Sequence, residues 1–204
     1  MQRARELVTS EETLVFFTRP TRGDAPERRD AILRIATAAD AATYARDVGT
    51  DSPLTFRQRL GDGTRCYLVE SEGRIVHATW TTTSRAWVRE IQRYFVPPPG
   101  DVYIYESYTR PEARGRGIYP FAIGALASEL AGQGSARMWV GVEDDNPASL
   151  RAVGKGGFEE AFSIRYTRRL GRLRVDPARG PDAGLAQAIL RGPGQDDAST
   201  PGFR

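Results

Sequence analysis

Between Thr109 and Tyr119 the chain reads Thr-Arg-Pro-Glu-Ala-Arg-Gly-Arg-Gly-Ile-Tyr. Gly115 and Gly117 let successive backbone N–H groups converge on an anion without side-chain obstruction. A helix opening at Ile118 adds unpaired donors and the positive end of its dipole. Arg114 and Arg116 add charge. The chemistry that fits is the cradling of a pyrophosphate; the plainer alternative is a glycine turn before a helix. The spacing is neither Gly-x-x-x-x-Gly-Lys-Ser/Thr nor Gly-x-Gly-x-x-Gly. That counts against a nucleotide-hydrolysing loop and against a dinucleotide-binding turn.

Other residues could act near this loop. Glu106 is the only carboxylate in the aromatic, β-favouring run from Val102 to Thr109. It could accept a proton from an ammonium, directly or through water, or pair with an arginine. Tyr103, Tyr105 and Tyr108 could line a pocket, although packing is the simpler role. His77 is the sole histidine, so any Ser-His-Asp or Cys-His mechanism would run through it; its mid-strand place reads as a hydrogen-bonded strand residue. Cys66 is the sole cysteine. This excludes an intramolecular disulfide and argues against a cysteine-built zinc site; a buried apolar role fits it better. No metal site is expected. Asn146 precedes Pro147 and reads as a helix cap.

These groups need a scaffold. The 204 residues suffice for one domain with a core, and 40% apolar and 27% charged residues are ordinary for a globular protein. A net charge of +3 is weak for a nucleic-acid binder. No apolar run approaches the roughly 20 residues of a membrane span, and no signal-type stretch follows Met1. The expectation is a cytoplasmic enzyme that binds neither nucleic acid nor membrane.

Patterning predicts strands over 13–18 and 31–35, helices over 38–46 and from Ser52-Pro53, and a hairpin of 64–70 and 74–80. A strand over 102–109 runs into the glycine loop. An apolar helix follows over 118–131, then a strand over 137–142, a helix over 147–154 and a strand over 158–168. Strand, loop, helix and strand between 102 and 142 imply a parallel pair. Residues 1–10 read as a flexible N-terminus and 11–176 as the domain. Residues 177–204, rich in Gly, Pro, Asp and Ser, read as a mobile tail, with a short helix possible over 183–190.

Two further segments complete a pattern: Asn146-Pro147-Ala148-Ser149, then Lys155-Gly156-Gly157-Phe158. With Arg-Gly-Arg-Gly-Ile directly after a strand, the chain resembles the GNAT superfamily over about 31–170. The resemblance implies an α/β (α+β) fold: a mixed, mostly antiparallel sheet, helices on both faces, and a parallel strand pair that splays apart. It implies acetyl-CoA, or coenzyme A, as co-substrate, held by Tyr108, Thr109, Arg114, Gly115, Arg116, Gly117, Ile118 and Tyr119, with Asn146 and Ser149 on the pantetheine arm. A backbone N–H near 140–142 would polarise the thioester carbonyl, and Glu106 is the candidate base. Many members carry a tyrosine where this chain has Val153, so the acid that meets the departing thiolate is not assigned. The expected reaction is acetyl transfer to the amine of a small molecule, first guess an amino sugar, with a homodimer possible. The alternatives are a peptide, antibiotic or polyamine acceptor, or a non-catalytic domain that senses CoA.

Overall fold

The computed structural model describes residues 10–23, 26–61 and 63–193. Eleven strands and five helices are described: β1 (Ser10–Pro20), β2 (Ile32–Ile35), α1 (Ala41–Asp47), α2 (Pro53–Arg59), β3 (Thr64–Ser71), β4 (Arg74–Thr82), β5 (Ala86–Val88), β6 (Arg93–Phe95), β7 (Asp101–Thr109), α3 (Ile118–Gly132), β8 (Arg137–Glu143), α4 (Pro147–Lys155), β9 (Glu159–Arg169), β10 (Arg172–Val175), α5 (Ala186–Ile189) and β11 (Leu190–Arg191). The main sheet has the order β10-β9-β1-β8-β7-β4-β3-β2, and β11-β6-β5 form a small second sheet. Only β7 and β8 pair in parallel among the described strands. The expected mixed α/β fold with one parallel pair is what the chain forms.

Local chemistry explains the elements. The β3–β4 hairpin closes through Glu72 and Gly73, both at positive φ (52° and 71°), with Ser71 opposite Arg74. Such a turn matches the right-handed twist of the strands it joins. α4 opens with Pro147 at its first position, and the Asn146 side chain accepts from the Ser149 N–H at 3.1 Å. Along β7 the side chains alternate between faces. Val102 and Ile104 pack with Ile123, Leu126 and Val153 under α3 and α4, while Tyr103 joins Phe16, Phe95 and Phe162 on the other face. Tyr44 of α1 and Phe56 of α2 pack with Trp80 on that second face as well.

Two sequence expectations are corrected. Residues 177–191 are not a mobile tail. Ala186 and Ile189 are buried in the core, Leu190 pairs with Phe95, and the Val96 and Asp182 amides donate to Ile189 and Ala161 carbonyls at 2.7 and 2.8 Å. The short helix expected there is a 3-10 turn over Ala183–Leu185 continued by α5. At the other end, β1 already begins at Ser10, which pairs with Arg168. Residues 1–9 and 194–204, expected to be flexible, lie outside the described residues. The β5–β6 hairpin, absent from the sequence reading, supplies the partner of β11.

Candidate functional site

The site is built where β7 and β8 part. Their parallel register runs from Asp101 opposite Arg137 to Ile104 opposite Val140 and stops there. Beyond it the edges of β7 (Tyr105, Glu106, Ser107) and β8 (Gly141, Val142, Glu143) are no longer paired with each other. On its other side β7 slips against β4: Ala78 faces Tyr108, but Trp80 faces Tyr105. Glu106 takes a positive φ of 50° in this bulge, and Ser107 Oγ is 2.6 Å from Thr79 Oγ1. A bulge bends its strand and re-aims side chains, so the parting of the strands and the turning of Glu106 are one local event.

At the end of β7 the backbone turns through a 3-10 segment (Pro111–Ala113) into the glycine loop. Gly115 and Gly117 sit at φ 73° and 74°, left-handed values that other residues adopt only at a cost. Gly117 is the residue before α3, and no side chain caps the helix there. The N–H groups of Gly115 through Tyr119 meet no acceptor among the described residues. Pro120, which has no N–H, occupies a first-turn position where an N–H would be orphaned in any case. The loop is exposed from Arg114 to Gly117. Arg114 Nε donates to the Thr109 carbonyl at 3.0 Å, closing the loop on the strand end. Unused donors at a helix N-terminus, opening from an exposed loop, are the arrangement that binds phosphate groups. The residues present therefore fit the pyrophosphate of a CoA thioester.

His77 and Tyr119 lie beneath the loop. His77 is fully buried, its Nδ1 is 2.8 Å from Thr109 Oγ1, and its Nε2 finds no partner among the described residues. The Tyr119 ring stands edge-on at 5.7 Å. Burial lowers the His77 pKa to about 4, so the ring is neutral near pH 7 and works as a hydrogen-bonded wedge. Burial likewise pushes the Tyr119 hydroxyl up. Arg110, at the strand end, is anchored by Asp47, whose carboxylate also meets Arg46, Arg74 and the Ile75 N–H. The Arg46 hydrogen bond, then the Ile75 amide, hold Asp47 at about 2 against the opposing effect of burial.

On the face carrying α1 and α2, Arg59 spans the opening. Its Nη1 donates to Asp51 at 2.6 Å and to Glu106 Oε2 at 2.7 Å. Its guanidinium lies 3.9 Å over the Trp80 ring and 5.6 Å from that of Tyr105. Burial opposes its charge, but bonds with Glu106 and Tyr105 outweigh that and raise its pKa. Across the gap, the Tyr166 hydroxyl is 2.6 Å from both Glu143 Oε1 and Glu12 Oε2. This carboxylate pair borders a cavity of about 420 Å³ with Arg89, Glu90 and Arg168.

The residues expected to act thus fall into three places. Tyr108, Thr109 and residues 114–119 are gathered at the end of β7. Asn146 and Ser149 follow the adjacent parallel strand and so lie at the same end of the sheet, joined to each other by the cap. Glu106 stands apart on the bulge. Val153, on α4, is buried against α3 and the sheet, and Cys66 is buried with its thiol pKa pushed up by desolvation. Sequence reasoning missed Arg59, which lies 47 residues from Glu106 with no local motif to mark it. Among the described residues, no helix is long and apolar enough to cross a membrane.

The model of the acetyltransferase (GNAT) family matches residues 32–158, and the chain belongs to that family. No curated protein matches the sequence. Among solved structures, a GNAT-family acetyltransferase from Novosphingobium aromaticivorans is 18% identical with a TM-score of 0.54, over 78% of this chain and 66% of that one. A GCN5-related N-acetyltransferase from Sphaerobacter thermophilus is 14% identical with a TM-score of 0.59, over 78% of this chain and 51% of that one. The ribosomal-protein-S18-alanine N-acetyltransferase of Escherichia coli is 15% identical with a TM-score of 0.51, over 70% of this chain and 95% of that one. The chain thus spans from about half to two thirds of the first two proteins. At these identities the likeness establishes the fold.

Proposed function

We propose that this chain is an acetyl-CoA-dependent N-acetyltransferase acting on the amine of a small molecule. The observation that carries the reading is the run of unused N–H groups from Gly115 to Tyr119, opening α3 beside a parallel pair that parts after Ile104 and Val140. Bound acetyl-CoA would supply a thioester carbonyl open to attack by an amine. The loop amides, with Arg114 and Arg116, hold the pyrophosphate. Tyr108 and Thr109 border it, and Asn146 and Ser149 face the pantetheine arm from the start of α4. A β8 amide within 140–142 polarises the carbonyl.

Glu106 is the proposed proton acceptor. Arg59 engages Oε2, while Oε1 has no hydrogen-bond partner among the described residues. One oxygen is thereby oriented by a guanidinium and the other is left for an incoming ammonium. The amine must lose a proton to become nucleophilic, and a carboxylate on the bulge can take it, directly or through water. Val153, buried and apolar, could not protonate a departing thiolate, which would take the second proton lost by the amine, directly or through water.

The acceptor face carries carboxylates on both sides of the gap: Asp51 and Glu106 on one, Glu12 and Glu143 on the other. With Glu90 these five carboxylates outnumber the arginines set among them, Arg59, Arg89 and Arg168; that excess suits a cationic acceptor, and amino sugars and polyamines are the first classes to try. A solved relative by fold is an aminoglycoside N-acetyltransferase in complex with CoA, 15% identical with a TM-score of 0.51. The test is thiol release from acetyl-CoA over a panel of amino sugars, polyamines, aminoglycosides and peptide N-termini. Turnover with one amine class supports the reading. Tight CoA binding with no turnover on any amine supports a CoA-sensing domain instead.

A further inference from the structure

Upstream of β2, residues 26–30 lie across α3. A Cβ on Gly124 would stand 2.9 Å from the Pro26 ring, so the helix is glycine where the segment crosses it. From this crossing Arg28 reaches the glycine loop. Its Nη1 donates to the Arg116 carbonyl at 2.9 Å, and the same nitrogen lies 3.6 Å from where a Gly117 Cβ would be. Its guanidinium sits 5.9 Å above the Phe121 ring. Asp30 holds the other side of the fork, accepting from Nε at 2.7 Å and from Nη2 at 3.1 Å. The segment precedes residue 32, where the family match begins.

We propose that Arg28 is a positioning residue of the cofactor loop, which fastens the Gly115–Gly117 turn from outside and adds a third cation directed at the pyrophosphate. The proposal rests on the CoA-binding reading of that loop. The physical case has three parts. A loop of two left-handed glycines is conformationally free, and ordering it on binding costs entropy. A guanidinium bonded to the carbonyl between those glycines removes part of that cost beforehand. Asp30 occupies one edge of the fork and fixes its plane, so the Nη1 edge stays turned toward the helix N-terminus, where a phosphate is already favoured. Arg114 and Arg116 belong to the loop and move with it. Arg28 is delivered from a separate segment and acts on the loop as a fixed point.

Calorimetry on the full chain tests this with three ligands: CoA, dephospho-CoA, and acetyl-pantetheine, which has no phosphate. Arg28→Ala should weaken CoA and dephospho-CoA equally, by about tenfold, the size expected for one charge-assisted contact. Acetyl-pantetheine affinity should stay as in the parent protein, and Arg28→Lys should recover part of the loss. CoA affinity within about twofold of the parent would overturn the proposal, since no effective contact would then exist. So would an equal loss for acetyl-pantetheine, which would make the residue a general support of the fold. Loss for CoA alone would also overturn it, by assigning Arg28 to the 3′-phosphate. If the unaltered chain bound neither CoA nor dephospho-CoA, the CoA reading itself would fail, an outcome distinct from these.

Discussion

Arg59 and Glu106 meet at 2.7 Å although 47 residues separate them, and this contact joins α2 to the bulge of β7 at the mouth of the parted strands. It gives the proposed base a fixed orientation and makes α2 part of the site. Glu106→Gln keeps the shape and the Arg59 contact but cannot accept a proton. Turnover should fall about 10²- to 10⁴-fold at pH 7, the usual scale for losing a general base. Activity should return in part at higher pH, where more amine is free, and CoA affinity should hold. Wild-type turnover at pH 7 would make Glu106 a structural partner of Arg59.

Asp47 ties the end of α1 to β4 and to Arg110 at the entrance of the glycine loop. Its side chain is fully buried, so Asp47→Ala removes the carboxylate shared by Arg46, Arg74, Arg110 and the Ile75 N–H, leaving Arg110 paired with Glu112 alone. A loss of about 1–3 kcal/mol is expected, the range for leaving a buried donor such as the Ile75 N–H unsatisfied. Because its folded pKa is depressed to about 2, the stability it contributes is present above pH 4 and declines as pH falls toward 2. Denaturant unfolding of parent and variant across pH 2–6 checks both statements.

His77 carries a second pH dependence. Its ordinary value is 6.5 and burial lowers it to about 4. The unfolded chain therefore takes up a proton that the folded chain refuses. Stability should fall as pH drops from about 6.5 to 4 and level off below, by roughly 3 kcal/mol at most. His77→Asn should flatten that slope, whatever its effect at neutral pH. An unchanged slope would assign the pH dependence to other groups.

Removing residues after Val175 should destabilise the fold, because Ala186 and Ile189 would leave Phe95 and Phe162 uncovered. Losing that burial and the β11 pairing should cost ~2–4 kcal/mol and lower the melting temperature by about 5–10 °C. An unaltered melting temperature would show that α5 and β11 contribute nothing.

The legible parts of the molecule were those written in local pattern. The strand, glycine loop and helix from 102 to 131 announce themselves through β-branched and aromatic runs, paired glycines and a long apolar stretch. The Asn146-Pro147 cap is equally local. The β5–β6 hairpin was missed because three-residue strands carry too little alternation to register, and β11 was lost with it, being only two residues paired to β6. A Pro- and Gly-rich composition suggests a tail, but Ala186 and Ile189, together with the β11 pairing and the backbone bonds to Ala161 and Ser163, dock it. Arg28, Arg59 and Asp47 carry no signal in sequence because the partners that bring them to the site, Arg116, Glu106 and Arg110, lie far along the chain.

The central claim is that the loop amides hold a CoA thioester, and calorimetric titration of acetyl-CoA into the parent chain and Gly117→Val tests it most directly. At Gly117 a valine meets a left-handed backbone, a strain of about 1–3 kcal/mol, and places a branched side chain over the N–H groups that open α3. The account predicts saturable 1:1 binding to the parent and, with the fold verified by circular dichroism, a loss of at least about tenfold in the variant. No binding to the parent, or equal affinity in a folded variant, would contradict it.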